Sequence, residues 1–227
     1  LEGKELKSLR ISKIERMRIE EVEVISFDVD GTLVDGRFMD EFWNKHIPFY
    51  YSKKHGLSID ESIEIIKRSY DEVGDRDVRW YIPDYWFKRF NLDINLPDAL
   101  KEFKDGLRIY PDAIEVLEEL KGRTKLIAVT NAVREIMEFE LRQIKKFFWK
   151  TFSCPSDFGD IRCEPGIYLK ICNEAGAKPE KVLHIGDHPY FDFEVPRKAG
   201  IRALLIDRDG KNGHIRKLTE LKEILRI

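Results

Sequence analysis

The stretch Val24-Ile25-Ser26-Phe27-Asp28-Val29-Asp30-Gly31-Thr32-Leu33 sets two acids just past an apolar run. Residues two apart in an extended strand share a face. If that geometry persists to Asp30, the carboxyls of Asp28 and Asp30 meet in a partly dry crevice and repel. A proton or a metal ion must relieve them. Further along, Thr130-Asn131 closes another apolar run, Arg162 stands in a loop, and Gly186-Asp187 closes a third run, with Asp192 five residues later. Each piece has a plain structural reading. Asp and Gly are ordinary turn formers, Thr130-Asn131 can cap a helix, Asp192 can start one, and Arg162 can pair with a nearby acid. Acids, a hydroxyl, an amide and a cation gathered at separate run ends are far more specific together.

Magnesium takes oxygen ligands, usually one or two carboxylates, and keeps waters while touching substrate phosphate. Asp28, Asp187 and the backbone carbonyl of Asp30 form a fitting set, and Mg2+ there would offset the carboxylate repulsion. Asp28 then has an oxygen free to attack phosphorus, giving an aspartyl-phosphate. Asp30 can protonate the leaving oxygen and later deprotonate water, provided its surroundings raise its pKa. The hydroxyl of Thr130 and the amide of Asn131 can hold phosphoryl oxygens, and Arg162 can neutralise charge on the transferring group.

Five apolar runs read as strands covered on both faces: Val22–Phe27, Lys125–Val129, Trp149–Ser153, Val182–Ile185 and Arg202–Ile206. Helical patterns separate the later ones. One opens at Pro111 and stops at Gly122, a second runs from Ala132 to Lys146, and a third opens at Pro165 and closes at Gly176. Strand and helix in alternation give an α/β class: a Rossmann-like parallel sheet flanked by helices, with right-handed crossovers. Ligands in such sheets bind beyond the carboxyl ends of the strands, where the candidate residues fall. More than seventy residues separate Leu33 from Leu107, too many for a crossover. Phe38–Lys54, Ile59–Val73 and Val78–Phe90 carry helical spacing and most of the aromatics, so an inserted helical cap subdomain is expected.

Lysine plus arginine number 40 against 42 acids in 227 residues, a formal net charge of −2, which argues against a nucleic-acid binder. No apolar run reaches the length of a membrane span. The three cysteines lack a CxxC pattern, and the expectation is a reduced, cytoplasmic setting. Charged residues reach 36% and Gln143 is the one glutamine, a composition expected of a thermophile. Leu1 to Arg16 reads as an upstream extension or as residues added in cloning, ahead of a possible start at Met17.

VISFDVDGTL, VTN and HIGDHPYFD resemble the first, second and fourth motifs of the haloacid dehalogenase (HAD) superfamily, in order, from about Val22 to the end. The insert is similar to that family's C1-type cap. The resemblance implies a Rossmann-like core, a Mg2+-dependent aspartyl-phosphate route and mostly phosphatase activity on a small phosphorylated metabolite. Asp28 falls on the nucleophile, Asp30 on the acid/base, Thr130 on the second-motif hydroxyl and Asp187 on the metal ligand. Asp192 falls on the second acid of motif four, behind the metal. Relatives commonly read Lys-Pro-Asp-Pro where this chain has Arg162-Cys163-Glu164-Pro165, and arginine is not a copy of lysine's point charge. The implied division is 17–35 with 106–227 as catalytic core and 36–105 as cap. Alternatives are a 2-haloacid dehalogenase, which needs no acid at Asp30, a phosphosugar mutase, and a non-enzymatic phospho-acceptor switch, whose usual acid order differs. His184 reads as a satisfied core residue and His188 as a solvated loop residue. Substrate and oligomeric state are open.

Overall fold

The near-continuous apolar runs become central strands because both of their faces are covered. The computed structural model describes residues 17–227; the segment 1–16, read above as an extension, lies outside the described residues. Among the described residues there is one parallel sheet of five strands: β1 (Val24–Phe27), β2 (Lys125–Thr130), β3 (Lys150–Ser153), β4 (Val182–Gly186) and β5 (Arg202–Leu205). Their order is β3-β2-β1-β4-β5. The chain therefore builds outward from β1 in one direction, then returns to build in the other. Such a reversal leaves a crevice at the carboxyl end of the first strand. Register places Ser26 of β1 beside Ile127 of β2 and His184 of β4.

The helices Pro111–Leu120 and Pro165–Ala175 form where their first-turn prolines place them. The run expected from Ala132 to Lys146 is shorter. Thr130 Oγ1 accepts from the Ala132 N–H at 3.0 Å, which holds residues 130–132 in a turn, and Val133 is extended. The helix covers Arg134–Leu141, followed by a tight turn at Lys145–Phe147 that buries Ile144 and Phe147.

Between β1 and β2 lies the helical insert. Arg37–Glu41, a wider π-type turn at Phe42–His46 and Ile47–His55 follow without a break. Ile59–Val73 matches its expected span, started by a reciprocal Ser58/Glu61 capping box. The pattern read as one helix from Val78 to Phe90 is two pieces, Val78–Tyr81 and Pro83–Arg89. Pro83 forces Ile82 out of the helical region and breaks it. A fourth helix, Leu96–Glu102, was not expected. Both ends of the insert leave the core side by side. Val34 bridges Ile109 in antiparallel fashion, the Asp35 N–H donates to the Arg108 carbonyl at 2.8 Å, and the Tyr110 N–H donates to that of Leu33 at 3.0 Å.

One face of the sheet shares an apolar cluster with Pro111–Leu120, Arg134–Leu141 and the last residues of the chain, a cluster continuous with the insert, and the other packs against Pro165–Ala175 and Val195–Lys198. Within the insert, Trp86 is fully buried, donates from Nε1 to the Trp80 carbonyl at 3.0 Å, and meets Tyr70 edge-on at 4.6 Å. Replacing a buried large aromatic by alanine typically removes about 3–5 kcal/mol. Trp86→Ala should lose stability in that range in equilibrium urea unfolding, and a loss below about 1 kcal/mol would show that Trp86 does not anchor the insert.

Candidate active site

Asp28 sits just past the last residue of β1, still tied to the sheet by its N–H to the Ile185 carbonyl at 2.8 Å. It is buried, and so is the cation beside it. The Arg162 guanidinium donates from Nη2 to Asp28 Oδ1 at 2.5 Å and from Nη1 to Asp192 Oδ1 at 2.7 Å. Its backbone N–H and Nε both donate to Asn131 Oδ1, at 3.0 and 3.3 Å. Burial pushes the Asp28 carboxyl well up and Asp192 adds to that push; Arg162 opposes both. Burial alone would also raise Asp192, yet Arg162 and the His184 hydrogen bond hold it down to about 2. Although burial works against its charge, Arg162 stays cationic because Asp192 and Asp28 flank it. The ion-pair reading of Arg162 and its place beside Asp28 therefore coincide.

Asp28 and Asp30 both line the cavity, but a turn rather than a strand relates them. The chain leaves the strand after Phe27, and three N–H groups, of Thr32, Leu33 and Val34, fold back onto the Val29 carbonyl. Asp30 turns instead towards Glu140, a fully buried residue of the helix Arg134–Leu141. Asp30 Oδ1 and both Glu140 oxygens have no donor among the described residues. Two carboxyls in contact can bond only if one keeps its proton. Burial, then the charge of Asp30, push Glu140 well above its ordinary value, so Glu140 holds that proton. Burial raises Asp30 as well, while the Glu140 hydrogen bond draws it back. Glu140, nine residues past Asn131 in a helix with other acids, carries no sequence signal of its burial.

Asp187 follows β4 and opens to the cleft. Burial by the surrounding walls, then Asp192, push its carboxyl up to about 7, a push that water in the cleft moderates. Two glycines make room for the acids. A Cβ on Gly31, whose φ is +71°, would fall 2.1 Å from Asp187 Oδ2, and one on Gly186 would fall 2.3 Å from Asp192 Cγ. Oxygens of Asp28, Asp187 and Asp192 all lie within 4.8 Å of one another. Three carboxylates this close, with the charge of two of them disfavoured, suit a divalent cation with oxygen preference. Both oxygens of Asp192 are already engaged, Oδ1 by Arg162 and His184 and Oδ2 by the His188 N–H at 3.0 Å. Asp192 therefore backs the group from behind.

His184 is the satisfied core residue expected, with more to do than fill space. Its Nδ1 meets Ser26 Oγ at 2.8 Å and its Nε2 meets Asp192 Oδ1 at 3.1 Å. Burial keeps it neutral, so Nε2 carries the proton towards Asp192 and Ser26 donates to Nδ1. His188 is exposed, yet its Nδ1 accepts from the N–H groups of Tyr190 and Phe191, both at 3.2 Å, and caps the turn carrying Asp192. Thr130 and Asn131 are buried at the end of β2. Sequence reasoning also missed Thr32, whose hydroxyl faces Asp28 Oδ2 at 3.4 Å, and Arg208, which donates to the carbonyls of Gly31 and Thr32 and pairs with Asp112. Tyr81 comes from the insert, with the Asn131 side chain beside its hydroxyl. A cavity of about 430 Å3 lies above this group.

A family model described as haloacid dehalogenase-like hydrolase matches residues 22–200. The chain belongs to that family. The hydrolase is 28% identical to the GMP/IMP nucleotidase YrfG of Escherichia coli (strain K12) over 170 residues, which is 74% of this chain and 75% of the nucleotidase. It is 25% identical to the glyceraldehyde 3-phosphate phosphatase of Pyrococcus furiosus over 231 residues, covering 91% and 92% of the two. A solved HAD phosphatase from Thermococcus onnurineus superposes with a TM-score of 0.81 at 27% identity, covering 90% of this chain and 98% of that one. No described helix of the hydrolase is long and apolar enough to cross a membrane.

Glu140 generates a pH prediction. Its folded pKa lies above the unfolded one, so its contribution to stability is fully present below about pH 4.5 and declines as pH rises towards the folded value. In chelated protein, Glu140→Gln removes that decline while keeping a donor for Asp30. Urea midpoints of the variant should exceed those of the parent by a margin that grows from pH 5 to pH 8. A constant or shrinking margin would mean that Glu140 does not carry the proton.

Proposed function

We propose that the hydrolase is a Mg2+-dependent phosphatase that cleaves a small phosphorylated metabolite through an aspartyl-phosphate, with 36–105 as a cap over a core of 17–35 and 106–227. The observation that carries the reading is the grouping around Asp28: a buried carboxylate at the strand end, Arg162 on one oxygen, and Thr130, Asn131 and Asp187 from two other strands. Asp28 and Asp187 would hold the metal, with the Asp30 carbonyl beside them and Asp192 behind. Bound magnesium would offset charge on the carboxylates and on the phosphoryl oxygens.

Asp28 forms a bond to phosphorus as the bond to the leaving oxygen breaks. With Glu140 keeping its own proton, the protonated form of Asp30 gives a second one to that oxygen, then takes one from the water that hydrolyses the acyl phosphate, which returns Asp28. Its raised pKa supports the acid role. Thr130 accepts the Ala132 N–H and so keeps its own hydroxyl proton for a phosphoryl oxygen. The forked Arg162 spans the nucleophile and its support, and stabilises charge as it builds. Halide displacement from carbon needs no acid, so Asp30 favours the phosphatase over the dehalogenase. The relatives' names, one for GMP and IMP and one for glyceraldehyde 3-phosphate, give different substrates and choose neither here.

Two tests follow from these roles. Phosphate release from an aryl phosphate should vanish with chelator and return with Mg2+; full activity after exhaustive chelation would sink the metal assignment. Asp30→Asn should slow esters of poor leaving groups by about 10²–10⁴-fold and nitrophenyl phosphate much less. Equal losses on both would remove Asp30 from the acid role.

A further inference from the structure

The far wall of the cavity comes from the insert, and its chemistry differs from that of the floor. Met39, Trp43, Trp80 and Tyr81 give it a largely apolar, aromatic surface, and Asp40 and Asp75 are its charged members. No lysine or arginine of the insert lines the cavity among the described residues; the one guanidinium there, Arg162, lies on the floor with Asp28 and Asp192.

The aromatic surface is held in place from behind. Tyr70 donates to the Trp43 carbonyl at 3.3 Å and meets the Trp43 ring edge-on at 6.0 Å. The Trp80 carbonyl is held by Trp86 Nε1, and the rings of Trp43 and Trp80 lie 5.8 Å apart at 42°. Both indoles border the cavity, where a flat ring can stack against them. Tyr81 donates its hydroxyl to the Asp75 carbonyl at 3.0 Å, which fixes the loop carrying that acid. Neither Asp40 nor Asp75 has an ion-pair partner among the described residues. Asp40 is close enough to Asp30 for its charge to raise the acid's pKa, and Asp75 acts likewise on Tyr81 and His188. Negative charge thus stands on the leaving-group side of the cavity, and no cation of the insert lines it among the described residues.

We propose that the hydrolase selects phosphomonoesters whose alcohol carries an uncharged or cationic aromatic ring, stacked on Trp43 and Trp80, and that Asp40 and Asp75 reject esters with a second anion. The proposal rests on the phosphatase reading above. Rejection by unanswered like charge is a specificity device separate from attraction. It acts across a cavity whose volume lies in the ordinary range for small-molecule sites, so the acids and the substrate's far end are near neighbours.

The test uses a matched pair with Mg2+ present, 4-carbamoylphenyl phosphate and 4-carboxyphenyl phosphate. The amide should be favoured in kcat/KM by about tenfold or more, the scale of one unscreened like-charge contact. Asp75→Lys should narrow that ratio, with Asp75→Asn as a milder variant that narrows it less. Trp80→Ala should raise KM for the amide ester with kcat nearly kept, since stacking holds substrate and transition state alike. Equal kcat/KM for the two parent reactions, or a ratio unmoved by both Asp75 variants, overturns the proposal and leaves the phosphatase reading intact. Absence of phosphate release from either ester overturns both together.

Discussion

One guanidinium answers for a crevice full of carboxyl groups. Asp28, Asp30, Asp187, Asp192 and Glu140 converge at the end of β1, and Arg162 is the one cation of their cavity among the described residues. A buried ion pair stabilises little by itself because desolvation offsets its attraction, but removing one partner strands the other at great cost. Arg162 resolves this by forking. Each arm takes a different aspartate, and the stem is pinned to Asn131, so the loop after β3 is fixed against the ends of β1, β2 and the segment after β4 at once. Behind it, Ser26, His184 and Tyr168 carry the same polar network into the sheet, where each donor meets an acceptor. The remaining carboxyls settle by other means: Glu140 keeps a proton, and Asp187 stays at the water's edge.

The sheet makes this convergence possible. Since β1 has neighbours built in opposite directions, the loops after β1, β2 and β4 all open on one crevice without crossing. Gly31 and Gly186 then let backbone and carboxylate approach to distances that any side chain would block. Arg208 braces the loop after β1 from outside by taking two of its carbonyls. Asp28 is thus held by backbone on one side and by charge on the other.

Much of this was legible beforehand. The five strands, the insert and the gathering of Asp28, Thr130, Asn131, Arg162, Asp187 and Asp192 follow from apolar runs ending in polar residues, a pattern that a parallel sheet turns into geometry. What escaped depends on distances no local pattern encodes. Glu140 is one charged residue among many in an amphipathic helix, and its burial appears only when that helix lies over Asp30. Asp28 and Asp30 do meet at one cavity, but the chain leaves the strand at Phe27, so a turn and not strand alternation brings them there. The single helix read over Val78–Phe90 ignored the bias that Pro83 places on the residue before it. Composition gave the insert its aromatics but no hint of which rings would border the cavity and which would form its interior.

The paired ends at Val34 and Ile109 carry a consequence for how such a chain can change over generations. The two segments that enter and leave the insert are hydrogen-bonded to each other before the insert begins, so the core meets a closed loop of fixed span. The entropy of closing a loop grows only slowly with its length. Helices could be added, lost or exchanged above that junction with little effect on the sheet beneath. The junction works as a splice point: it lets one reaction centre be recombined with new recognition surfaces, while the chemistry below is inherited unchanged.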